Sequence, residues 1–389
     1  MKPSEEFLNH LICVYPDLKN ESLANGQELK SLVSEYLISP FTIQIPRKAV
    51  EQAISVARSF FQLRENKKYQ NMISPRYSDP GNKSIMMSYD YHLTSDGNLK
   101  LIEINTNAAF LILGYELYQS KHISNPVPGF SKQKISDSIL NELGLHGGEI
   151  TSPSVIITDS APEQQRLYIE FLVYKNLFKS LGWDASICDT KELSIKHKAN
   201  FIYNRNTDFY FENPDSQGLK NLFTSKQACI SPNPFDYELL ADKERMIQWA
   251  SPGFFESIHL NSADIENINS VLPKCQDMTA ESAEMLWSQK KSLFFKPKRE
   301  FGSKLAFKGA SISRKVFDEL IQKNGIAQEY IPAPEQEFMT PDGIQKYKFD
   351  LRCFAYMGEL QLIIARVYQG QVTNLRTANG GFACVVTND

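Results

Sequence analysis

The chain has 389 residues, room for two or three domains, with 42% hydrophobic residues and a net charge of −3. That balance removes any general attraction to nucleic acid or to an anionic membrane. Cysteines at 13, 188, 229, 275, 353 and 384 form no CxxC or zinc spacing, which argues against a metal cluster or a disulfide framework and suits a reducing, cytoplasmic setting.

The opening MKPSEEFLNHLICVYPDL carries early glutamates and no long apolar core, so no secretory signal is expected. The longest apolar run, AAFLILGY, falls far short of the roughly 20 residues a membrane helix needs. Residues 1–70 read as helical, most clearly in AVEQAISVARSFFQL. SPRYSDPGNKS is a loop, and IMMSYDYHL and LKLIEIN are strands joined by the turn TSDGN. SNPVPGF punctuates the chain, and a boundary is placed there. Beyond it, SVIITD, the amphipathic EQQRLYIEFLVYKNLFKSLG, DASICD and FIYNRN alternate strand, helix, strand and strand. That pattern predicts a small parallel α/β unit over 150–235. SPNPFDYELLADKERMIQWA is a loop entering a helix. SLFFKPK and KLAFKGA read as strands around a glycine-containing loop, followed by the helix SRKVFDELIQKNG and the strand IAQEYI. KFDLRCFAYMGELQLIIARVYQG reads as an antiparallel meander turned at MGE.

Four stretches carry chemistry. In LKLIEINTNAAF, strand alternation places Leu101, Glu103 and Asn105 on one face. Left unpaired in a core, the two polar groups would cost roughly 1–3 kcal/mol each. Asp90 on the preceding strand can join them across the hairpin. Two carboxylates and an amide oxygen are hard ligands suited to Mg2+ shared with phosphate oxygens, a wet sheet face being the alternative. In FFKPKREFGSKLAF, a glycine-bearing hairpin can close over phosphates with Lys296 as charge partner, or it is a solvated surface hairpin. In GIAQEYIPAPEQEF, connector backbone can meet an adenine edge and Glu335 or Glu337 a ribose, or the stretch is an ordinary linker. Arg352, Arg366 and Arg376 offer forks for phosphate or carboxylate, and the NGG at 379–381 allows close backbone approach or a hairpin turn. Arg205 in YNRN suits a substrate carboxylate or a surface salt bridge equally.

Together these motifs resemble the ATP-grasp superfamily in a circularly permuted form, similar to the glutathionylspermidine-synthase-like families. LIEINTNAAF resembles the acidic strand that closes an ordinary ATP-grasp sequence, here near the start. LADKERM resembles the first-lysine segment at Lys243, FFKPKREFGSKL the second-lysine segment at Lys296, and AQEYI the hinge. FIYNRNTD and SPNPFDYELLADK are similar to the central α/β domain and its exit. The likeness covers most of 76–389, and no segment resembles a cysteine–histidine amidase domain. Two departures stand out. Ser88 replaces the arginine those families carry two residues before the first acidic ligand, and the glycine loop holds one glycine where many hold several.

The resemblance implies an α/β and α+β chain with a circularly permuted ATP-grasp fold and a central, small parallel pre-ATP-grasp-like domain. Its parts would be 1–125, a helical region plus acidic strands; 126–235, the α/β domain; and 236–389, the nucleotide-binding region. It implies an ATP-dependent carboxylate–amine or thiol ligase acting through an acyl phosphate, with ATP and Mg2+ as cofactors. Asp90, Glu103 and Asn105 would hold the metal. Lys243 and Lys296 would contact phosphates beneath Gly302, Ser303 and Lys304. Gln328, Glu329 and Ile331 would meet adenine, with Glu335 or Glu337 at the ribose. Arg352 and Arg366 would stabilise the transferring group, and Asn379, Gly380 and Gly381 would line the acceptor side. Partners would be small-molecule or peptide carboxylates and amines, with no nucleic acid and no membrane; an oligomer stays open. A small-molecule kinase and a non-catalytic nucleotide- or partner-binding protein are the alternatives. The rotated order further predicts that residues 84–105 pair with strands near 349–384, with the 150–235 unit outside that sheet.

Overall fold

Three sheets organise the computed structural model of the chain, which describes residues 2–20, 28–298 and 306–388. The N-terminal region contributes β1 (Ile38–Pro46), β2 (Met87–Leu93) and β3 (Leu99–Asn105). The middle contributes β4 (Ser154–Asp159), β5 (Asp184–Asp189), β6 (Phe201–Asn204) and β7 (Cys229–Ser231). Next come β8 (Cys275–Asp277), β9 (Leu293–Pro297), β10 (Phe307–Lys308) and β11 (Gly325–Glu329). The chain closes with β12 (Glu335–Thr340), β13 (Gly343–Tyr356), β14 (Glu359–Tyr368) and β15 (Gly381–Asn388).

The largest sheet is seven-stranded, in the order β1-β15-β14-β13-β2-β3 with β12 beside β13. The two ends of the chain thus share one sheet: Leu351 to Ala355 pair antiparallel with Tyr91 to Met87. The reading of 1–70 as helical is corrected here. Residues 38–46 form β1, which runs parallel to β15. Its Ser-Pro interruption and mixed pattern hide an alternation that the partner strand completes.

Alternation on these strands separates two faces. Met87, Tyr89, Tyr91, Leu351, Cys353 and Ile363 belong to a core shared with the helix Arg47–Glu65, where Phe60 stacks on Tyr89 at 5.5 Å. On the opposite face, Phe354, Leu362, Ile364 and Phe382 pack in a core with the helix Leu111–Lys121. Farther along that same face the apolar residues give way to Asp90, Asp350, Arg352 and Arg366.

The second sheet, β10-β9-β11-β8, is antiparallel and has its own core, including Phe295, Phe317 and Leu320, under the helix Arg314–Gln322. It leans on β3 through Lys296 Nζ and Gln328 Nε2, which donate to the carbonyls of Ile102 and Leu101 at 3.2 and 3.4 Å. The third sheet, β5-β4-β6-β7, is all parallel, with the helix Tyr168–Ser180 crossing it, as the alternation in 150–235 requires. Among the described residues, no helix is long and apolar enough to cross a membrane.

Candidate functional site

The polar end of the large sheet, the second sheet and the segment after β11 enclose a cavity. Ile102, Glu103, Lys243, Lys296, Gln328 and Glu329 line it together with Ile331, Asp350, Arg366 and Thr373. Glu103 reaches it by a detail that strict alternation misses. Asp90 pairs with Glu103, but Tyr91 pairs with Leu101, so β3 carries one extra residue at Ile102. This bulge turns the strand over. Leu101 is fully buried in the core, while Glu103, two residues on, faces the cavity. The expectation that Leu101 shares the face of Glu103 and Asn105 is therefore corrected. The bulge also turns out the Ile102 carbonyl that receives Lys296.

Beside Glu103 lies a closed ion-pair network. Arg352 sits directly across from Asp90 in the sheet, and Arg366 directly across from Asp350. Arg352 grips Asp90 with two bonds, Nε to Oδ1 at 3.0 Å and Nη2 to Oδ2 at 2.7 Å. Arg366 bridges both acids, with Nη2 to Asp90 Oδ2 at 2.9 Å and Nε to Asp350 Oδ1 at 2.6 Å. Such charge-assisted, forked contacts are the strong class of hydrogen bond. Burial by itself would raise the Asp90 carboxyl, but the two guanidiniums outweigh it and hold the group below the usual carboxylate range.

Opposite stands Lys296. Burial pushes its ammonium below the ordinary lysine value, and Lys243 adds to this while Glu103 offsets it. Lys243 follows a π-helical stretch, Tyr237–Ala241, a geometry frequent at functional sites. The segment that leaves β11 also lines the cavity. Glu329 is held on both sides by the backbone of Lys274, and Tyr330 N donates to Ser292 O at 2.8 Å. His92 caps this segment, its Nδ1 lying 2.8 Å from the Ile331 carbonyl. A carbonyl only accepts, so Nδ1 carries the proton. Burial first, then Lys296 and Arg366, hold the ring below its usual value, leaving Nε2 as an acceptor.

The structure therefore gathers Glu103, Lys243, Lys296, Gln328, Glu329, Ile331 and Arg366 around one cavity. Asn105 stands beside them, donating to Asp90 at 3.2 Å and Glu103 at 3.4 Å. Other expected residues lie elsewhere. Arg352 is behind Asp90, its remaining edge on the Ala109 carbonyl at 3.3 Å. Glu335 lines a neighbouring groove with Thr94 and Ser95, and Glu337 points outward to Lys346 at 3.4 Å. Asn379, Gly380 and Gly381 pack against the chain's own backbone. Ser39 Oγ donates to the Asn379 carbonyl at 2.8 Å, and a Cβ on Gly381 would stand 2.5 Å from the Leu37 carbonyl oxygen. Their smallness is thus used up by the junction with β1. Gly302, Ser303 and Lys304 lie outside the described residues. His92, Asp350 and Thr373 were missed. Asp350 had a readable signal, since it shares the face of Arg352 two residues on.

A second polar cluster sits at the carboxyl ends of β4 and β6, where the parallel sheet's strand order reverses, the place where such sheets bind ligands. Arg205 is not a surface residue. It is held among Glu170, Asp159 and Tyr203 and donates to the Asn107 carbonyl. Glu170 accepts from Phe110 N at 2.7 Å. The loop after the acidic strand is thus gripped by Arg352 from the large sheet, by Arg205 just after β6 and by Glu170 from the helix Tyr168–Ser180.

The donor set tests the implied magnesium. Glu103 presents hard oxygen at the cavity with Asn105 beside it, but both Asp90 oxygens already receive guanidinium donors. The expected trio does not fit a metal as a trio.

No family model matches the chain, and no curated protein matches it. Among solved structures, a glutathione synthetase-like effector from Globodera pallida in apo form is similar over 98% of this chain and 97% of its own, at 13% identity and a TM-score of 0.57. A provisionally named gamma-glutamylcysteine synthetase from Methylobacillus flagellatus KT covers 87% of this chain and 86% of its own, at 9% identity and a TM-score of 0.44. The ATP-grasp ligase PsnB with a minimal precursor covers 60% and 89%, at 9% and 0.27. The first shares the mixed α/β fold of this chain; the other two superpose too loosely to carry an argument.

Proposed function

We propose that the chain is an ATP-dependent ligase joining a carboxylate to an amine, on a circularly permuted ATP-grasp scaffold divided at 1–125, 126–235 and 236–389. The observation that carries this reading is one cavity lined both by the Glu329–Ile331 segment and by Lys243, Lys296 and Arg366. A base edge suits the first and phosphate oxygens the second.

In this reading a carboxylate oxygen of the substrate attacks the γ-phosphorus of ATP, the bond to the bridging oxygen breaks, and ADP leaves. The amine nitrogen then attacks the acyl carbon, the bond from that carbon to the phosphate oxygen breaks, and the nitrogen gives up a proton. The products are an amide and inorganic phosphate. The protein's share is positioning and charge neutralisation. Lys296 loses solvation in the free protein, and an anion in the cavity restores the stability of its charged form. Arg366 meets the transferring phosphoryl group, backed by Asp90 and Asp350. Magnesium enters as the ion that accompanies ATP, and the chain's own cations carry the steps above.

The test is product analysis with ATP and a panel of amino acids, peptides and polyamines. Amide plus phosphate supports the ligase. A stable phosphoester makes the chain a kinase on the same scaffold. ATP binding without turnover makes it a nucleotide-binding protein.

A further inference from the structure

We propose that Asp90 is the counter-ion that pins Arg352 and Arg366 in place, and not a ligand of a divalent cation. Five donors already converge on its carboxylate. Oδ1 receives Ser88 Oγ at 3.0 Å and Arg352 Nε at 3.0 Å. Oδ2 receives Arg352 Nη2 at 2.7 Å, Arg366 Nη2 at 2.9 Å and Asn105 Nδ2 at 3.2 Å. A carboxylate offers about four lone-pair sites, so no vacant one faces a sixth partner. Mg2+ demands oxygen at roughly 2.0–2.1 Å in near-octahedral geometry. Meeting that at Asp90 would place a dication against two guanidiniums.

Accessibility agrees. Asp90 is 0% exposed and does not line the cavity, whereas Glu103, its partner across the hairpin, does. Nor are the arginines free to swing aside. Arg352 also holds the Ala109 carbonyl, and Arg366 also holds Asp350, whose other oxygen takes the Thr373 hydroxyl. Moving either one breaks bonds on a second element. Asp90 and Asp350 therefore back Arg366 from behind and present its guanidinium to the cavity, where Lys243, Lys296 and Lys348 also stand. Asp90 acts through those arginines and is a positioning residue. The anion that profits from this rests on the nucleotide reading above; the counter-ion role does not.

The experiment has two arms on the full chain. A non-hydrolysable ATP analogue is titrated in EDTA and in excess Mg2+ against the natural protein, D90N and E103Q. In parallel, the Arg352 and Arg366 Nε–H resonances of arginine-labelled natural protein are followed while Mg2+ is added, with and without the analogue. The expected result is that D90N weakens analogue binding about tenfold or more, by the same factor in EDTA and in Mg2+. E103Q keeps the affinity measured in EDTA and loses the gain that Mg2+ brings, and the addition of Mg2+ moves neither Nε–H signal, whether or not the analogue is already bound. A D90N loss confined to Mg2+, or displacement of those signals by Mg2+, overturns the proposal. If D90N fails to fold, the resonances of the natural protein decide. If no form binds the analogue, the ligase reading falls, and the resonances under Mg2+ alone still decide the role of Asp90.

Discussion

Two buried charge clusters lie on either side of the loop that follows the acidic strand, and they are built to opposite standards. Around Asp90, the carboxylate oxygens and guanidinium edges interlock across three strands. Around Arg205, the count does not close: Arg205 Nε and Glu170 Oε2 are buried without a hydrogen-bond partner. The electrostatics follow. Two positive partners hold Asp90 low, while Glu170, where burial outweighs the Arg205 charge, is pushed up to about 7. A saturated network holds its members still, and an unsaturated one keeps a standing cost that a proton or a ligand can relieve.

The sharpest way to break this contrast is to remove one arm of the closed network. Arg352→Met leaves Asp90 buried with half its counter-charge. Stability should fall by about 3–5 kcal/mol, read from the denaturant midpoint, as expected for a broken buried ion pair. A loss under about 1 kcal/mol would put Asp90 in the class of exposed ion pairs and dissolve the contrast.

The open cluster predicts a pH signature of the opposite sign. The Glu170 carboxyl rises from 4.5 in the reference state to about 7 in the fold. Between those values the folded protein holds more protons than the unfolded chain, so stability falls as pH rises from about 4.5 to about 7. One such group contributes about 1.4 kcal/mol per pH unit inside that window. Glu142 in the core also reaches about 7 and adds a second, independent slope. Unfolding curves at both ends of the window should show E170Q and E142Q each removing one share. An unchanged slope in E170Q would mean that Glu170 is already ionised and satisfied.

Nucleotide binding separates two lysines on neighbouring positions. Lys296 lines the cavity, whereas Lys298 is engaged by Asp277 and by Glu244 at 3.4 Å. Lys296→Ala should weaken binding of an ATP analogue by about tenfold, near 1.4 kcal/mol, in a calorimetric titration. The smallest effect belongs to Lys298→Ala, expected to stay within about twofold, since its charge is already engaged by Asp277 and Glu244 and it does not line the cavity. Equal losses would move the phosphate site away from the cavity wall.

Much of the strand and helix order was readable in the chain. The hairpin of β2 and β3, the parallel βαβ unit, the meander of β13 and β14 and the pairing of the two chain ends all follow from alternation, turn residues and the rotated motif order. β1 was not readable, because Ser-Pro breaks its pattern and its alternation is completed by β15, more than 300 residues away. Of the cavity's cations, Lys296 was legible at a strand end before a glycine-bearing turn and Arg366 on a strand, whereas Lys243 was expected only from the resemblance of LADKERM to a first-lysine segment. His92 was not, because a lone histidine on a strand carries no local signal, whereas Asp350 could have been read from its place two residues before Arg352 on the same strand.

The sequence by itself determined which residue types could meet phosphate and which strands would carry them, because periodicity and side-chain chemistry are local properties. Only the tertiary structure decided how those groups are spent. One extra residue at Ile102 turned Glu103 to the cavity and Leu101 to the core. The register of β13 against β2 set Arg352 opposite Asp90, where its guanidinium takes up both carboxylate oxygens. Register between distant strands is fixed by the packing of whole faces, and a carboxylate's lone pairs can be counted as filled only once every donor around them has a place.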